Sequence, residues 1–272
     1  MNSLRMAGWI AALMLPLMLP FSAFAQSPWL GDESCEAVFE RLPDRLPGGA
    51  RLESFSDTDR VHAYRLPGGG TLRIDGPELV RETVTGDGFA AAQSDLFDRA
   101  PFGLRGRHGP GVGVVLAQVE SVYNGEVSVT GSPLGFVAEA GSAELHIAPV
   151  VHLADWSGYA LASPEDQALW DKALCSQAHH ELGHILVAAQ VMTEAEASLT
   201  QVANPTQTGI SLAIRTALES MMSDIRQRQD LYHAEIKLLG WQVADSRPYV
   251  ELPFSWLGGD ALDGVMESGS GR

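Results

Sequence analysis

The run His180-Glu181-Leu182-Gly183-His184 holds residue types at a spacing that could do chemistry. On a helix, positions four apart share one face a turn apart, so both imidazoles can reach one Zn²⁺. Glu181 then projects beside them as a general base rather than as a ligand. Zinc lowers the pKa of a water it binds to about 7, and Glu181 can pass that water's proton to the amine leaving as a peptide bond breaks. With 8 His in 272 residues, composition alone yields the pattern about 0.015 times in such a chain. Coincidence does not account for it.

A catalytic zinc needs a third protein ligand and an open position. The extended HExxHxxGxxH pattern is absent, because Val187 stands where its glycine would be. The motif helix is expected to run to about Gln190 or beyond, and Glu194 and Glu196 lie past its expected end. A second long helix offers candidates. With Ile225, Tyr232 and Ile236 as its buried stripe, His233 sits about 80° to one side and Glu235 about 80° to the other. Only one of them can face the metal. His233 is preferred, imidazole being the commoner zinc ligand, and Glu235 is the alternative. Tyr232 reads as a core residue or as a donor to the tetrahedral oxyanion. Glu219, Asp224 and Asp230 read as solvated. His179 is 100° off the pair and reads as a hydrogen-bonding neighbour. Gly183 costs about 1 kcal/mol against alanine in a helix, which points to close packing over the site.

The elements that must position these residues follow from local signals. Ser163-Pro164-Glu165-Asp166 opens the motif helix, with Ser as N-cap, Pro in the first position and acids at the positive end of the dipole. The second helix, about 210–239, carries Ile210, Ile214, Leu218, Met221, Ile225, Tyr232, Ile236 and Leu239 three, four or seven apart. Before them lie β-rich segments at 60–66, 71–74, 112–122, 125–130, 136–140 and 143–151, separated by turn signals. Short helices are expected at 35–41 and 86–99, and the Gly-rich stretch 106–113 reads as a loop, since it lacks the order of a phosphate-binding loop. The expected architecture is α+β, with a small antiparallel sheet packed against a pair of long antiparallel helices.

Composition narrows the setting. The chain is 45% apolar with 18 Lys+Arg against 34 Asp+Glu and a net charge of -16, which supports a real core and disfavours phosphate backbones and anionic lipid as partners. Residues 1–25 have the layout of a secretory signal peptide: Arg5, an apolar run from Trp9 to Phe24 broken by Pro16 and Pro20, and Ala23-Phe24-Ala25 before a cleavage site. No later segment is apolar and long enough to span a bilayer. A periplasmic or secreted protein is expected, in an oxidising compartment where Cys35 and Cys175 can form one disulfide. The domain plan is a leader at 1–25, a Gly/Pro-rich N-terminal subdomain at 26–82 that could serve as a propeptide, a metallopeptidase-like domain at 83–245 and a tail at 246–272.

From about Val84 to Gly240 the chain resembles a bacterial domain-of-unknown-function family described as predicted secreted zinc-dependent proteases. The resemblance rests on Val84-Thr85-Gly86 and the helix to Leu96, Asp155-Trp156, Leu169-Trp170, the HExxH motif and the long helix to Tyr232. It implies zinc ligation by His180 and His184, with Glu181 as the catalytic base. The family's second helix ends in a Tyr-Asp-x-x-Thr-x-His-Gly pattern. Here His233 follows Tyr232, Ile236 replaces the Thr, Leu238 replaces the His and Gly240 comes one place late. His233 would then substitute for the family's third histidine.

The leading expectation is an exported zinc metallopeptidase acting on a peptide or protein substrate. The alternative is a non-catalytic envelope protein that keeps the helix pair as a binding or structural scaffold. A third reading keeps the zinc and changes the bond, to a peptidoglycan amide.

Overall fold

The computed structural model describes residues 35–40, 42–99, 105–106, 113–114 and 116–238, with the backbone alone at 105–106, 113–114 and 235–238. The expected leader at 1–25 and tail at 246–272 lie outside the described residues. After a 3-10 turn at Cys35–Phe39 and another at Pro47–Gly49, four strands follow: β1 (Arg51–Ser56), β2 (Val61–Arg65), β3 (Thr71–Asp75) and β4 (Glu78–Val84). Helix α1 (Phe89–Arg99) precedes β5 (Arg105–Gly106), β6 (Gly113–Val114), β7 (Ala117–Glu126), β8 (Val129–Ser132), β9 (Gly135–Ala138) and β10 (Glu144–Trp156). A third 3-10 turn at Tyr159–Leu161 leads into α2 (Pro164–Leu199), then β11 (Ala203–Asn204) and α3 (Gln207–Leu238).

The α+β class holds, but the main sheet is six-stranded and mixed rather than small and antiparallel. β10 is its spine. β7 runs antiparallel along one side of it, from Glu144↔Glu126 to Leu153↔Ala117. The other side is shared in line by β3, parallel at Glu144–Ile147, and β4, parallel at Val150–Trp156. Between them Gly76-Pro77 interrupts the strand opposite Pro149, a residue with no N–H to offer a neighbour. β2 and β1 continue outward from β3, both antiparallel. Residues 51–75 are therefore hydrogen-bonded into the sheet that supports the motif helix, and the boundary expected at residue 82 falls inside β4. The glycine-rich stretch contributes β5 and β6, which pair with each other, while 107–112 lie outside the described residues.

One face of the sheet is apolar because strand side chains alternate. Leu145, Ile147, Val151 and Leu153 of β10, with Tyr64, Leu72 and Ile74, join Ile185, Leu186, Ala189 and Met192 of α2 in a single core. Ile210, Met221, Ile225 and Tyr232 of the expected α3 stripe are buried. α2 begins as read: the Ser163 hydroxyl accepts the Asp166 N–H at 3.1 Å, and Pro164 leads the first turn. It runs on to Leu199, within the expectation of an end at about Gln190 or beyond, because its second half is buried nearly all round and tertiary packing sustains it. The helices are antiparallel. Late in α3, Tyr232 meets His180, whereas four residues earlier Arg228 meets Glu194, further along α2. Cys35 and Cys175 form the expected disulfide, tying the first described turn to α2.

Candidate metal centre

α2 crosses the core at His180–His184, where sequence periodicity puts both imidazoles on one face. His180 and His184 are buried, at 4% and 6% exposure. Their Nε2 atoms stand 3.2 Å apart with the rings at 84°. Two ligands about 2.0–2.1 Å from one tetrahedral ion stand about 3.3 Å apart, so this edge has the dimensions of shared ligation. His233, arriving from α3, packs against both rings, with centroids 5.3 Å from His180 and 4.5 Å from His184. One ligand atom from each of the three lies within 4.8 Å of the others. Three neutral imidazoles are a donor set suited to zinc and to other late first-row divalent ions. The expected trio His180, His184 and His233 is therefore brought together. The side chain of the alternative, Glu235, lies outside the described residues. Glu194 and Glu196, read as beyond the helix, lie within α2 and are engaged elsewhere: Glu194 with Arg228, Glu196 with the amides of Gly68 and Gly70.

Glu181 is buried at 2% exposure. Its Oε2 accepts the Val119 N–H at 2.8 Å and its Oε1 accepts Gln177 Nε2 at 3.3 Å, with His180 Nε2 3.9 Å away. Burial pushes its carboxyl up to about 8, against the pull of the Val119 and Gln177 donors. The carboxylate is thus fixed beside the histidines by a sheet strand and by its own helix. Gln177 was open to discovery from spacing, since it stands one turn before Glu181. Val119 was not, because no local signal links a β7 amide to a residue 62 positions later.

Tyr232 explains the glycine in the motif. Its hydroxyl donates to the His180 carbonyl at 3.2 Å, and its ring stacks on His180 at 5.2 Å. A β-carbon at Gly183 would overlap that hydroxyl. Tyr232 therefore belongs to the core, as one of its two readings had it, and it seats the backbone carrying His180. His179 donates from Nδ1 to the Cys175 carbonyl at 2.8 Å, and burial lowers its pKa. Glu219, Asp224 and Asp230 are exposed, as read from the sequence.

Residues 106–237 match a bacterial protein family of unknown function, DUF922. The match spans both long helices through His233 and takes in all three histidines, Glu181 and Tyr232. The DUF922 description assigns no activity. No curated protein and no solved structure matches the chain.

Proposed function

We propose that this chain is an exported zinc metallopeptidase that cleaves peptide bonds, with His180, His184 and His233 as metal ligands and Glu181 as general base. The observation that carries the reading is the arrival of His233 from a separate helix onto the HExxH pair, beside a carboxylate held off the ligand set. A zinc ion bound there would supply Lewis acidity and an ionisable water. His180, His184 and His233 would orient it, and their three donors leave a fourth position for water or substrate. Ionised because the charge of the ion offsets the burial that raises its carboxyl, Glu181 would take the water's proton on a carboxylate oxygen and return it to the leaving nitrogen. Val119 N–H and Gln177 keep that carboxylate from swinging into the ligand set. Export is supported by the signal-peptide layout of residues 1–25 and by the disulfide, which forms in oxidising compartments. Among the described residues no helix is long and apolar enough to cross a membrane.

The test is metal analysis with activity assays on protein and cell-wall substrates. Wild type is expected to hold one zinc per chain and to hydrolyse a protein substrate. Glu181→Gln should retain the zinc and lose about 10²-fold or more in kcat. His233→Ala should lose zinc affinity. Zinc retention with unchanged turnover in Glu181→Gln would falsify the catalytic assignment, and release of cell-wall amides alone would move the substrate class to peptidoglycan.

A further inference from the structure

One polar group on the metal-bearing elements has no part in the scheme above. Gln229 of α3 is half-buried and donates from Nε2 to the Tyr123 hydroxyl of β7 at 3.1 Å. The Ser121 hydroxyl also bonds to the Tyr123 hydroxyl. Among the described residues nothing donates to the Gln229 carboxamide oxygen, although a carboxamide has two acceptor sites there. The pair joins the two elements that flank the centre: β7 also supplies the Val119 N–H to Glu181, and α3 supplies His233. Ser121 and Tyr123 follow Val119 on the helix-facing side of β7, where side chains alternate.

Spacing connects this pair to the metal. Gln229 precedes His233 by four residues, so both lie on one face of α3, about 6 Å apart along the axis. An extended peptide advances about 3.3 Å per residue, so a ligand chelated at the histidines brings a main-chain amide one or two residues away level with Gln229.

We propose that Gln229 is a specificity-determining residue whose carboxamide oxygen accepts a main-chain N–H of a bound peptide, and that Tyr123 is a positioning residue that fixes the carboxamide's orientation. This rests on the metallopeptidase reading, because it needs a chelated peptide beside His233. It adds what that reading lacks, a contact that distinguishes a peptide from a bare chelator.

The test is calorimetric binding to the zinc-loaded full chain, with acetohydroxamate and with alanyl peptide hydroxamates extended on either side of the chelating group. Each peptide ligand is paired with an analogue in which an ester oxygen replaces the N–H adjoining the chelator. In wild type the ester should bind about five- to tenfold more weakly than the amide on one side. Gln229→Leu should bind amide and ester equally, with acetohydroxamate affinity unchanged, and Tyr123→Phe should fall between. If acetohydroxamate binds but wild type treats amide and ester alike on both sides, the subsite is overturned and the metal reading stands. Persistent discrimination in Gln229→Leu overturns it as well. If acetohydroxamate itself does not bind, the open metal position is absent and both readings fall. The wild-type comparison needs no variant to fold.

Discussion

The Tyr232 hydroxyl occupies the space a β-carbon at Gly183 would take, and from there it donates to the carbonyl of His180. Two helices are thereby keyed together at a residue between His180 and His184. Alanine is favoured over glycine in a helix by about 1 kcal/mol, so a purely local view makes Gly183→Ala stabilising. The overlap reverses the sign. Overpacking costs about 2 kcal/mol, and displacing Tyr232 also strips the hydrogen bond from His180. Gly183→Ala should therefore lower the melting temperature by several degrees and weaken zinc binding. Tyr232→Phe alone should cost about 1 kcal/mol. The two substitutions together should cost less than their sum, since the closest overlap, with the hydroxyl, is gone, although the ring carbon that bore it would still lie 2.5 Å from the new β-carbon. Thermal denaturation and zinc titration of the three variants check this, and an alanine variant at least as stable as wild type would remove the keying role.

Glu196 makes a second long-range contact. Its two carboxylate oxygens accept the N–H groups of Gly68 and Gly70 at 2.7 and 2.6 Å, and the side chain is buried at 2% exposure. The turn between β2 and β3 is thus clamped to the second half of α2. A β-carbon at Gly70 would lie 2.6 Å from both a Glu196 oxygen and the Ala143 carbonyl, so that glycine is required by close approach. Glu196→Ala leaves the buried Gly70 amide without an acceptor and gives the half-exposed Gly68 amide over to water, and should cost about 2 kcal/mol in a denaturant titration. Glu196→Gln turns a donor toward one of those amides and should recover less than half of the loss. Zinc stoichiometry should not change in either variant, because Glu196 lies about three turns beyond His184. A metal-binding defect would place Glu196 in the centre after all.

What could be read in the chain was what depends on near neighbours. The N-cap of α2, its proline and its acids fixed where the helix starts, and the 100° turn per residue put His233 on the edge of the α3 stripe beside Tyr232. Sheet order was not available in the same way. β3 and β4 lie in line against β10 although about 70 residues separate partners such as Ile74 and Ile147. No local pattern distinguishes that parallel pairing from the antiparallel meander that short strands and turns suggest. The same applies to Val119 and Glu181, whose contact exists because β7 pairs with β10 above α2. The end of α2 is legible in the sequence only as about Gln190 or beyond, because buried residues on all sides of the helix erase the periodicity that would mark it.

His62 gives a pH dependence away from the three clustered histidines. It sits on β2 at 4% exposure, with Phe55 at 4.4 Å and Tyr64 at 6.4 Å between ring centroids, and its Nδ1 is buried with no hydrogen-bond partner among the described residues. Burial lowers its pKa below the ordinary 6.5. The unfolded chain then binds more protons than the folded one between the lowered value and about 6.5, so stability rises with pH across that window. The contribution is complete above about pH 6.5 and is lost as the pH falls toward the folded-state value. In chelator-treated protein, which removes acid release of metal from the comparison, His62→Phe should show a smaller fall in denaturation midpoint between pH 7.5 and pH 5 than wild type. Equal falls would show that His62 does not sense acid in the folded state.

The disulfide offers a separation of stability from site chemistry. Cys35 and Cys175 are 140 residues apart, and the cross-link closes a loop that spans the whole main sheet. In the chain-entropy account a loop of that size is worth about 4–5 kcal/mol through the unfolded state. Cys175 also lies five positions before His180 on α2, so a contribution to the site's local geometry is the competing possibility. The double variant Cys35→Ser/Cys175→Ser discriminates between them. If the bond acts on the unfolded chain, the variant should lose about 10 °C or more in melting temperature while zinc affinity measured well below the transition stays within about twofold of wild type. If the bond shapes the helix, zinc affinity should fall at temperatures where the variant is fully folded. The folded-state restraints favour the first outcome: Ser163 caps α2 on one side of Cys175, and Val119, Gln177 and Tyr232 hold the turn carrying His180 and Glu181 on the other, all without using the sulfur atoms.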